Sequence, residues 1–213
     1  TNSQSTKPVA FTVTVIALSA KMAKADGFVS RDEIAAFRER VYIPPSKVNQ
    51  VGKFWDLARQ TPAGYKEYAK QVAQLFPARA PILEHLLDLL FHIAKSDGDV
   101  TEAEQNYLHN VARIFGCDNS EFERLLAIHR STDPSAYEVL GVSADCDNQT
   151  LTRRWKESVR EHHPDTLIAN GMPEEFVAAA NDRLARINAA YDTIARQRSC
   201  LLYTSPSPRD LRK

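Results

Sequence analysis

The sequence predicts an all-α protein with an N-terminal helical bundle and a C-terminal helical hairpin. Apolar residues recur every three or four positions along nearly every segment, as on one face of an α-helix. No segment keeps a strict alternation of apolar and polar residues, so we expect no β-sheet. The chain of 213 residues holds only 7 glycines, which argues against an architecture rich in loops or β-turns.

Ten helices are predicted, several of them opened by a proline, because proline is tolerated in a first helical turn and disfavoured in the interior. The predicted helices span residues 9–25, 30–41, 44–59, 62–76, 81–95, 101–115, 120–129, 136–140, 149–161 and 173–198. A change of pattern after His129 predicts two domains, residues 9–130 and residues 133–199.

The composition is that of a soluble globular protein, with 43% hydrophobic and 25% charged residues. Lysine plus arginine equals aspartate plus glutamate, at 27 each, so no overall field favours nucleic acid or an anionic membrane. Cys117, Cys146 and Cys200 are far apart and form no CxxC motif. We therefore expect a reducing compartment, no disulfide framework and no zinc site.

The longest apolar run, VAFTVTVIALSA at residues 9–20, contains two threonines and a serine and is followed by Lys21. A membrane-spanning helix needs roughly 20 apolar residues, so this run predicts a buried core helix. No signal-peptide pattern is present. The first residue is threonine, so we expect a fragment, in which an upstream anchor would not be visible.

The segment CLLYTSPSPRD at residues 200–210 has two prolines and no apolar period. It is similar to the translation of an adapter used in sequencing libraries. We therefore expect residues 200–213 not to be native and leave them out of the fold prediction.

An internal repeat joins AKADGFVSRDE at residues 23–33 to AKSDGDVTEAE at residues 94–104. Each copy has an Asp-Gly turn, a valine, and a serine or threonine followed three residues later by glutamate. This pattern predicts two similar helical hairpins, each with a capping box at the start of its second helix. The capping pairs are Ser30 with Glu33 and Thr101 with Glu104.

A calcium-binding EF-hand is the alternative explanation of the repeat, with Gly27 or Gly98 at the sixth position of the loop. The first and third positions would then be Met22 and Lys24, or Ile93 and Lys95. These side chains do not ligate calcium, so we prefer capping boxes.

Residues 9–130 resemble the TerB-like family, small all-α domains named after tellurite resistance proteins, on the basis of the doubled Asp-Gly hairpins. Acidic residues of that family are associated with metal binding. The resemblance maps this role onto Asp26, Glu33, Asp97 and Glu104.

The histidines of this region are interpreted as core or surface residues, because a zinc pair on one helix more often has i, i+4 spacing. They are His85, His92, His109 and His129.

The predicted helix at residues 149–161 has two different faces. Leu151, Trp155, Ser158, Val159 and His162 share the face expected to pack against a neighbour. Arg153, Lys156 and Arg160 share the opposite face, which is expected to be exposed.

Pro164 disfavours helical geometry at the residue before it. We therefore expect the helix to end near His162 and to leave His163, Pro164 and Asp165 (the HPD segment) in a stiff loop. The core face of the last helix is predicted to hold Phe176, Ala180, Leu184, Ile187, Tyr191 and Ile194.

The motifs AYEVLGV (residues 136–142), the basic helix, the HPD segment and INAAYDTI (residues 187–194) together resemble the J-domain of DnaJ-type co-chaperones, over residues 134–198. The form EHHPDTLIANGMPEE is similar to that of DjlA-type co-chaperones, which also place a TerB-like domain before a C-terminal J-domain. Those proteins are anchored in the bacterial inner membrane and face the cytoplasm, and a cytoplasmic location is expected for this chain.

The resemblance implies a regulator of a DnaK-type chaperone, which a J-domain stimulates to hydrolyse ATP. It implies no enzyme activity of the chain itself and no cofactor. The partner-binding residues that it implies are His163, Pro164, Asp165, Arg153, Lys156 and Arg160. Trp155 and Tyr191 are expected to be core residues. The first domain is expected to bind clients, to form a homodimer or to respond to a ligand.

Three positions depart from the family pattern: Glu157 and Thr166 stand where lysine is common, and Ser158 where leucine is common. A polar Ser158 on the core face is expected to lower the stability of the J-domain, by roughly 1–3 kcal/mol. Residues 133–199 carry 8 basic and 11 acidic side chains, a net charge of −3, so the basic face is local.

The sequence allows three alternatives to a co-chaperone to be compared with it: a metal phosphohydrolase, a metal-responsive sensor and an interaction scaffold. A metal phosphohydrolase needs several ligands from separate helices, whereas His163 and Asp165 are adjacent to the same proline. A metal-responsive sensor built on the TerB-like domain remains an alternative, and so does an interaction scaffold with an inactive J-domain.

Overall fold

The computed structural model describes residues 3–25, 30–61, 63–78, 80–131 and 134–204, with side chains from residue 9 to residue 199. These ranges contain helices and no strand, as predicted. The α-helices are α1 (Ser3–Met22), α2 (Arg31–Arg40), α3 (Val48–Ala58), α4 (Tyr65–Ala73), α5 (Pro81–Ala94), α6 (Glu102–Ile114), α7 (Asn119–Arg130), α8 (Ala136–Leu140), α9 (Asn148–Glu161), α10 (Pro164–Ala169) and α11 (Val177–Thr204). Residues 205–213, most of the segment assigned to an adapter, lie outside the described residues.

Helix α1 is the central helix of the first helical unit, which comprises α1–α7, and it packs against α3, α4 and α5. Most of its apolar run is buried, with Val15 and Leu18 fully inaccessible, so the predicted core helix is confirmed, whereas Val9 and Val13 are exposed. Tyr107 of α6 donates a buried hydrogen bond to the carbonyl oxygen of Leu18, over 2.9 Å. Within the described ranges, no helix has the length and apolar content needed to cross a membrane.

Helix α5 takes the equivalent place in the second repeat and packs against α1, α2, α6 and α7. Both predicted capping boxes are confirmed. The backbone N–H of Ser30 donates to Glu33 Oε2 over 2.7 Å, and that of Thr101 donates to Glu104 Oε2 over 2.8 Å. Two further boxes, which we did not predict, open α7 and α8.

Three helix starts inside the chain differ from the prediction. The last helix, predicted from Pro173, begins at Val177, because Glu174–Phe176 forms a 3-10 turn after Pro173. Pro45–Lys47 forms a short 3-10 turn, and α3 begins only at Val48. Helix α4 begins at Tyr65 and is shorter than predicted, because Gly64 before it has a left-handed backbone with φ of 79°.

The second helical unit comprises α8–α11, in which α9 and α11 are antiparallel and α8 packs on both. The rings of Trp155 and Tyr191 stack at 4.3 Å between centroids, and Trp155 Nε1 donates to Asn188 Oδ1 over 3.0 Å. Both aromatic side chains are half-buried, so they are core-lining residues as expected. The buried core of this unit consists of Leu140, Leu151, Ile187, Ala190 and Ile194.

The two units share a hydrophobic core through α10 and the start of α11. Leu167, Met172, Phe176 and Ala180 are buried among the core residues of α1–α7 and not among those of α8, α9 and α11. The ring of Phe176 meets that of Phe11 edge to face, with centroids 5.2 Å apart. The segment between α9 and α11 is therefore held on the first unit.

Candidate functional site

The exposed face of α9 carries three basic side chains, Arg153, Lys156 and Arg160. Asp147 caps this helix by accepting a hydrogen bond from the backbone N–H of Thr150 over 2.6 Å. The three cations are spaced by three and four residues, so they lie on neighbouring turns of one face. They line one open surface depression with Gln149, Thr152 and Glu157.

The three basic side chains have no carboxylate partner among the described residues. Arg183 and Arg186, also of the second unit, differ from these three residues because they form ion pairs with carboxylates of α5. The exposed face of α9 is therefore a local positive surface in a unit with a net negative charge.

The HPD segment lies at the end of α9 and opens α10. His163 is the N-cap, with an extended backbone, and its Nδ1 accepts a hydrogen bond from the backbone N–H of Asp165 over 3.2 Å. Pro164 is buried, whereas the side chains of His163 and Asp165 are 46% and 89% exposed. The two polar groups therefore face solvent from a fixed backbone.

The prediction of a loop at residues 163–165 was wrong, because Pro164 and Asp165 form the first turn of α10. Proline has the backbone angle of a first helical residue and no N–H that would need a partner there. Leu167, two residues after Asp165, is buried, which stabilises this short helix by packing. His163 itself keeps the extended geometry expected before proline.

His162 connects the HPD segment to the first unit. Its ring is 4% exposed, and its Nδ1 lies 3.2 Å from His85 Nε2 of α5. Its Nε2 lies 3.8 Å from Glu84 Oε2. Burial, together with the positive charge of Arg183, lowers the pKa of both histidines, so both rings are neutral at neutral pH.

Ion pairs between α5 and α11 surround these histidines. Arg183 donates to Glu84 Oε2 over 2.8 Å, and both Arg183 and Arg186 pair with Asp88. Burial alone would raise the pKa of Asp88, but the hydrogen bond with His129 and the two arginines hold it well below its usual value. The carboxylate is therefore ionised, and it joins His129 of the first unit to Arg183 and Arg186 of the second.

Comparison with known families identifies the two units. A family model described as Tellurite resistance protein TerB matches residues 12–127, and one described as the DnaJ domain matches residues 135–203. The chain belongs to the TerB family. Its TerB domain is followed by a DnaJ domain, in the order that the sequence motifs predicted.

Known proteins match this chain over most of their length. A protein of Photobacterium profundum named Co-chaperone protein DjlA is 28% identical over 209 residues, which cover 85% of this chain and 76% of the relative. A protein of Aliivibrio fischeri with the same name is 25% identical over 230 residues, covering 92% of this chain and 81% of the relative. No solved structure matches.

The acidic residues proposed as metal ligands in the TerB domain are only partly brought together. Glu33 and Glu104 are buried in the two capping boxes, Asp97 is exposed, and Asp26 lies outside the described residues. Burial raises the pKa of Glu33 to about 7, with further contributions from Asp97 and Glu104. Among the described residues, no three His, Cys, Asp or Glu side chains are arranged to hold a metal ion.

Sequence reasoning missed the contact between the TerB and DnaJ domains. The sequence indicates only a core or surface histidine at residue 85, and it gives no role to Arg183 or Asp88. The available signal is on α5, where Glu84, His85 and Asp88 are polar residues in a mostly apolar helix. The other histidines stay within the TerB domain, with His92 near Glu39 and His109 near Asn119.

Proposed function

We propose that this protein is a co-chaperone whose DnaJ domain docks on a DnaK-type chaperone and stimulates ATP hydrolysis by that partner. The observation that carries the proposal is the exposed basic face of α9 beside the HPD segment. Relatives named co-chaperones that match most of the chain support the same role. In this proposal the chain is not itself the enzyme, because the ATP site belongs to the partner.

The charges of Arg153, Lys156 and Arg160 would attract an acidic surface of the chaperone. Exposed charges mainly accelerate and orient association, and salt weakens them because the screening length is about 10 Å at 0.1 M. Glu157 lines the same depression and reduces the positive field there. We therefore expect binding that is moderate in strength and strongly salt-dependent.

The HPD segment would deliver the signal once the DnaJ domain has docked. His163 and Asp165 are exposed, so their side chains are available to the partner, and neither is part of a hydrophobic core. Changing them should alter the stimulation of ATP hydrolysis and leave the fold of this protein intact.

Binding to the ATP-bound chaperone, measured by biolayer interferometry at two salt concentrations, tests the docking step. Reversal of three charges (Arg153→Glu, Lys156→Glu and Arg160→Glu) should weaken binding by roughly tenfold or more at low salt. The matched control reverses three exposed charges of the TerB domain (Arg31→Glu, Arg38→Glu and Lys53→Glu) and should bind like the native chain. Equal binding by both variants would contradict the proposal.

A second candidate function is a response of the TerB domain to a divalent cation. The observation that favours it is that the negative charges of Asp97 and Glu104 add to the effect of burial, which is the main cause of the raised pKa of Glu33. A cation would relieve this repulsion. Thermal unfolding with calcium or zinc, compared with the chelated protein and with Glu33→Gln, tests it: a stabilisation that Glu33→Gln abolishes supports a cation site.

A further inference from the structure

We propose that His85 of the TerB domain is a positioning residue for the HPD segment of the DnaJ domain. The inference rests on the proposed chaperone partnership and deepens it, because it makes signalling by the DnaJ domain depend on a side chain of the TerB domain. The contact between His85 and His162 is the observation that carries it.

His162 is the residue through which α9 ends and the HPD segment begins. It is the C-cap of α9, with its backbone N–H bonded to the carbonyl oxygen of Ser158 over 3.0 Å, and it directly precedes His163. Because its ring is buried against α5, the orientation of this ring and the backbone path into His163 are set together.

The polar groups around His162 select one arrangement of protons. Glu84 Oε2 lies 3.8 Å from Nε2 of His162, so the negative charge favours the proton on Nε2. Nδ1 is then an acceptor, and His85 Nε2 donates to it over 3.2 Å. A leucine at residue 85 would fill similar space but would leave a buried acceptor without its donor.

The other end of the HPD segment is also fixed on the TerB domain. Leu167 and Met172 are buried in its core, and the backbone N–H of Leu167 donates to the carbonyl oxygen of His163 over 3.0 Å. The three residues of the HPD segment therefore lie between two anchors, His162 and Leu167. His85 controls the first anchor without touching the exposed side chains of His163 and Asp165.

Three variants distinguish a positioning role of His85 from a purely structural role. The two roles differ in which amides exchange faster and in the rate of ATP hydrolysis. His85→Leu removes the donor, and His85→Gln keeps an N–H donor. His92→Leu makes the same kind of change about two turns along α5, at a histidine that is paired with Glu39 inside the TerB domain.

Hydrogen–deuterium exchange of the whole chain is the first measurement. Loss of one buried hydrogen bond corresponds to about tenfold faster exchange, which we expect at the Leu167 amide in His85→Leu and neither in His85→Gln nor in His92→Leu. Unchanged exchange in His85→Leu would overturn the proposal. So would equal acceleration throughout the TerB domain, because it would show general loosening. This measurement does not depend on any chaperone.

Single-turnover ATP hydrolysis by a DnaK-type chaperone, over a series of concentrations of each variant, is the second measurement. We expect His85→Leu to lower the saturating rate about fivefold, whereas the half-saturating concentration changes less than about twofold, because the basic face is intact. His85→Gln should restore the rate. A native saturating rate in His85→Leu overturns the positioning role, whereas no stimulation by the native chain contradicts the proposed function and leaves the exchange result to decide positioning.

Discussion

Nδ1 of His162 and Nε2 of His85 lie 3.2 Å apart, although the two residues are separated by 77 positions in the sequence. This buried contact joins the end of α9 in the DnaJ domain to α5 in the TerB domain. The ion pairs of Arg183 with Glu84 and Asp88 lie beside it. The two domains are therefore packed as one unit around the residue that precedes the HPD segment.

The histidine contact should make the protein sensitive to acid. Burial and Arg183 lower the pKa of His85 and His162, whereas each would take up a proton near its ordinary value of 6.5 in the unfolded chain. The stability linked to these groups is therefore complete above pH 6.5 and is lost as the pH falls. Between pH 7 and pH 5 the free energy of unfolding should drop by about 2 kcal/mol per histidine, as measured by urea unfolding.

The double variant His85→Leu/His162→Leu should remove most of this pH dependence. His109→Gln is the control, since His109 is bonded to Asn119 within the TerB domain and should leave the dependence unchanged. A slope in the double variant as steep as in the native chain would show that other groups cause the acid sensitivity.

Phe176→Ala should destabilise both domains together. The ring of Phe176 comes from the DnaJ part of the chain but packs edge to face on Phe11 of α1. Loss of a buried phenylalanine costs about 3–5 kcal/mol, and we expect one cooperative thermal transition at a lower temperature. Ile168→Ala, at a position that is 37% exposed, is the control and should change the melting temperature little. Two separate transitions in the native protein would contradict the shared core.

Glu33→Gln should stabilise the TerB domain at alkaline pH. The pKa of Glu33 is raised from 4.5 to about 7, mainly by burial. The folded state therefore holds this proton more tightly than the unfolded chain. The stability that comes from this tighter proton binding is complete below pH 4.5 and is lost as the pH rises through about 7. Glutamine keeps an acceptor for the Ser30 backbone N–H without a charge to bury.

Chemical unfolding at pH 5, 7 and 8.5, in the presence of a chelator, measures this effect. The control is Glu138→Gln, which changes the same position of a capping box on an exposed surface. If Glu33→Gln and Glu138→Gln showed the same pH profile, burial of Glu33 would not be the cause.

The features predicted correctly from the sequence depend on local periodicity. The two faces of α9 follow from the helical repeat, and Leu151, Ser158 and His162 are buried as predicted whereas Arg153 and Lys156 are exposed. The capping boxes at Glu33 and Glu104 follow from spacing within four residues. These patterns need no knowledge of which helices pack together.

The features that were missed depend on contacts between distant segments. Ser158 illustrates this, because the pattern within the J-domain alone indicates a polar defect in its core. It is 4% exposed and lines a small cleft of about 60 Å³ between the domains, with Glu84 and Arg183. A small polar side chain is suited to such surroundings. Part of the lining of this cleft, including Glu84, comes from the TerB domain, and no pattern within residues 133–199 indicates that part.

Single-turnover ATP hydrolysis by a DnaK-type chaperone, with the native chain and with His163→Gln, tests the proposed co-chaperone role most directly. Native protein should accelerate hydrolysis, and His163→Gln should not, while the two have the same helical content and melting temperature. His109→Gln should behave like the native chain. Equal acceleration by native protein and His163→Gln would contradict signalling by the HPD segment, and no acceleration by the native chain would contradict the co-chaperone role.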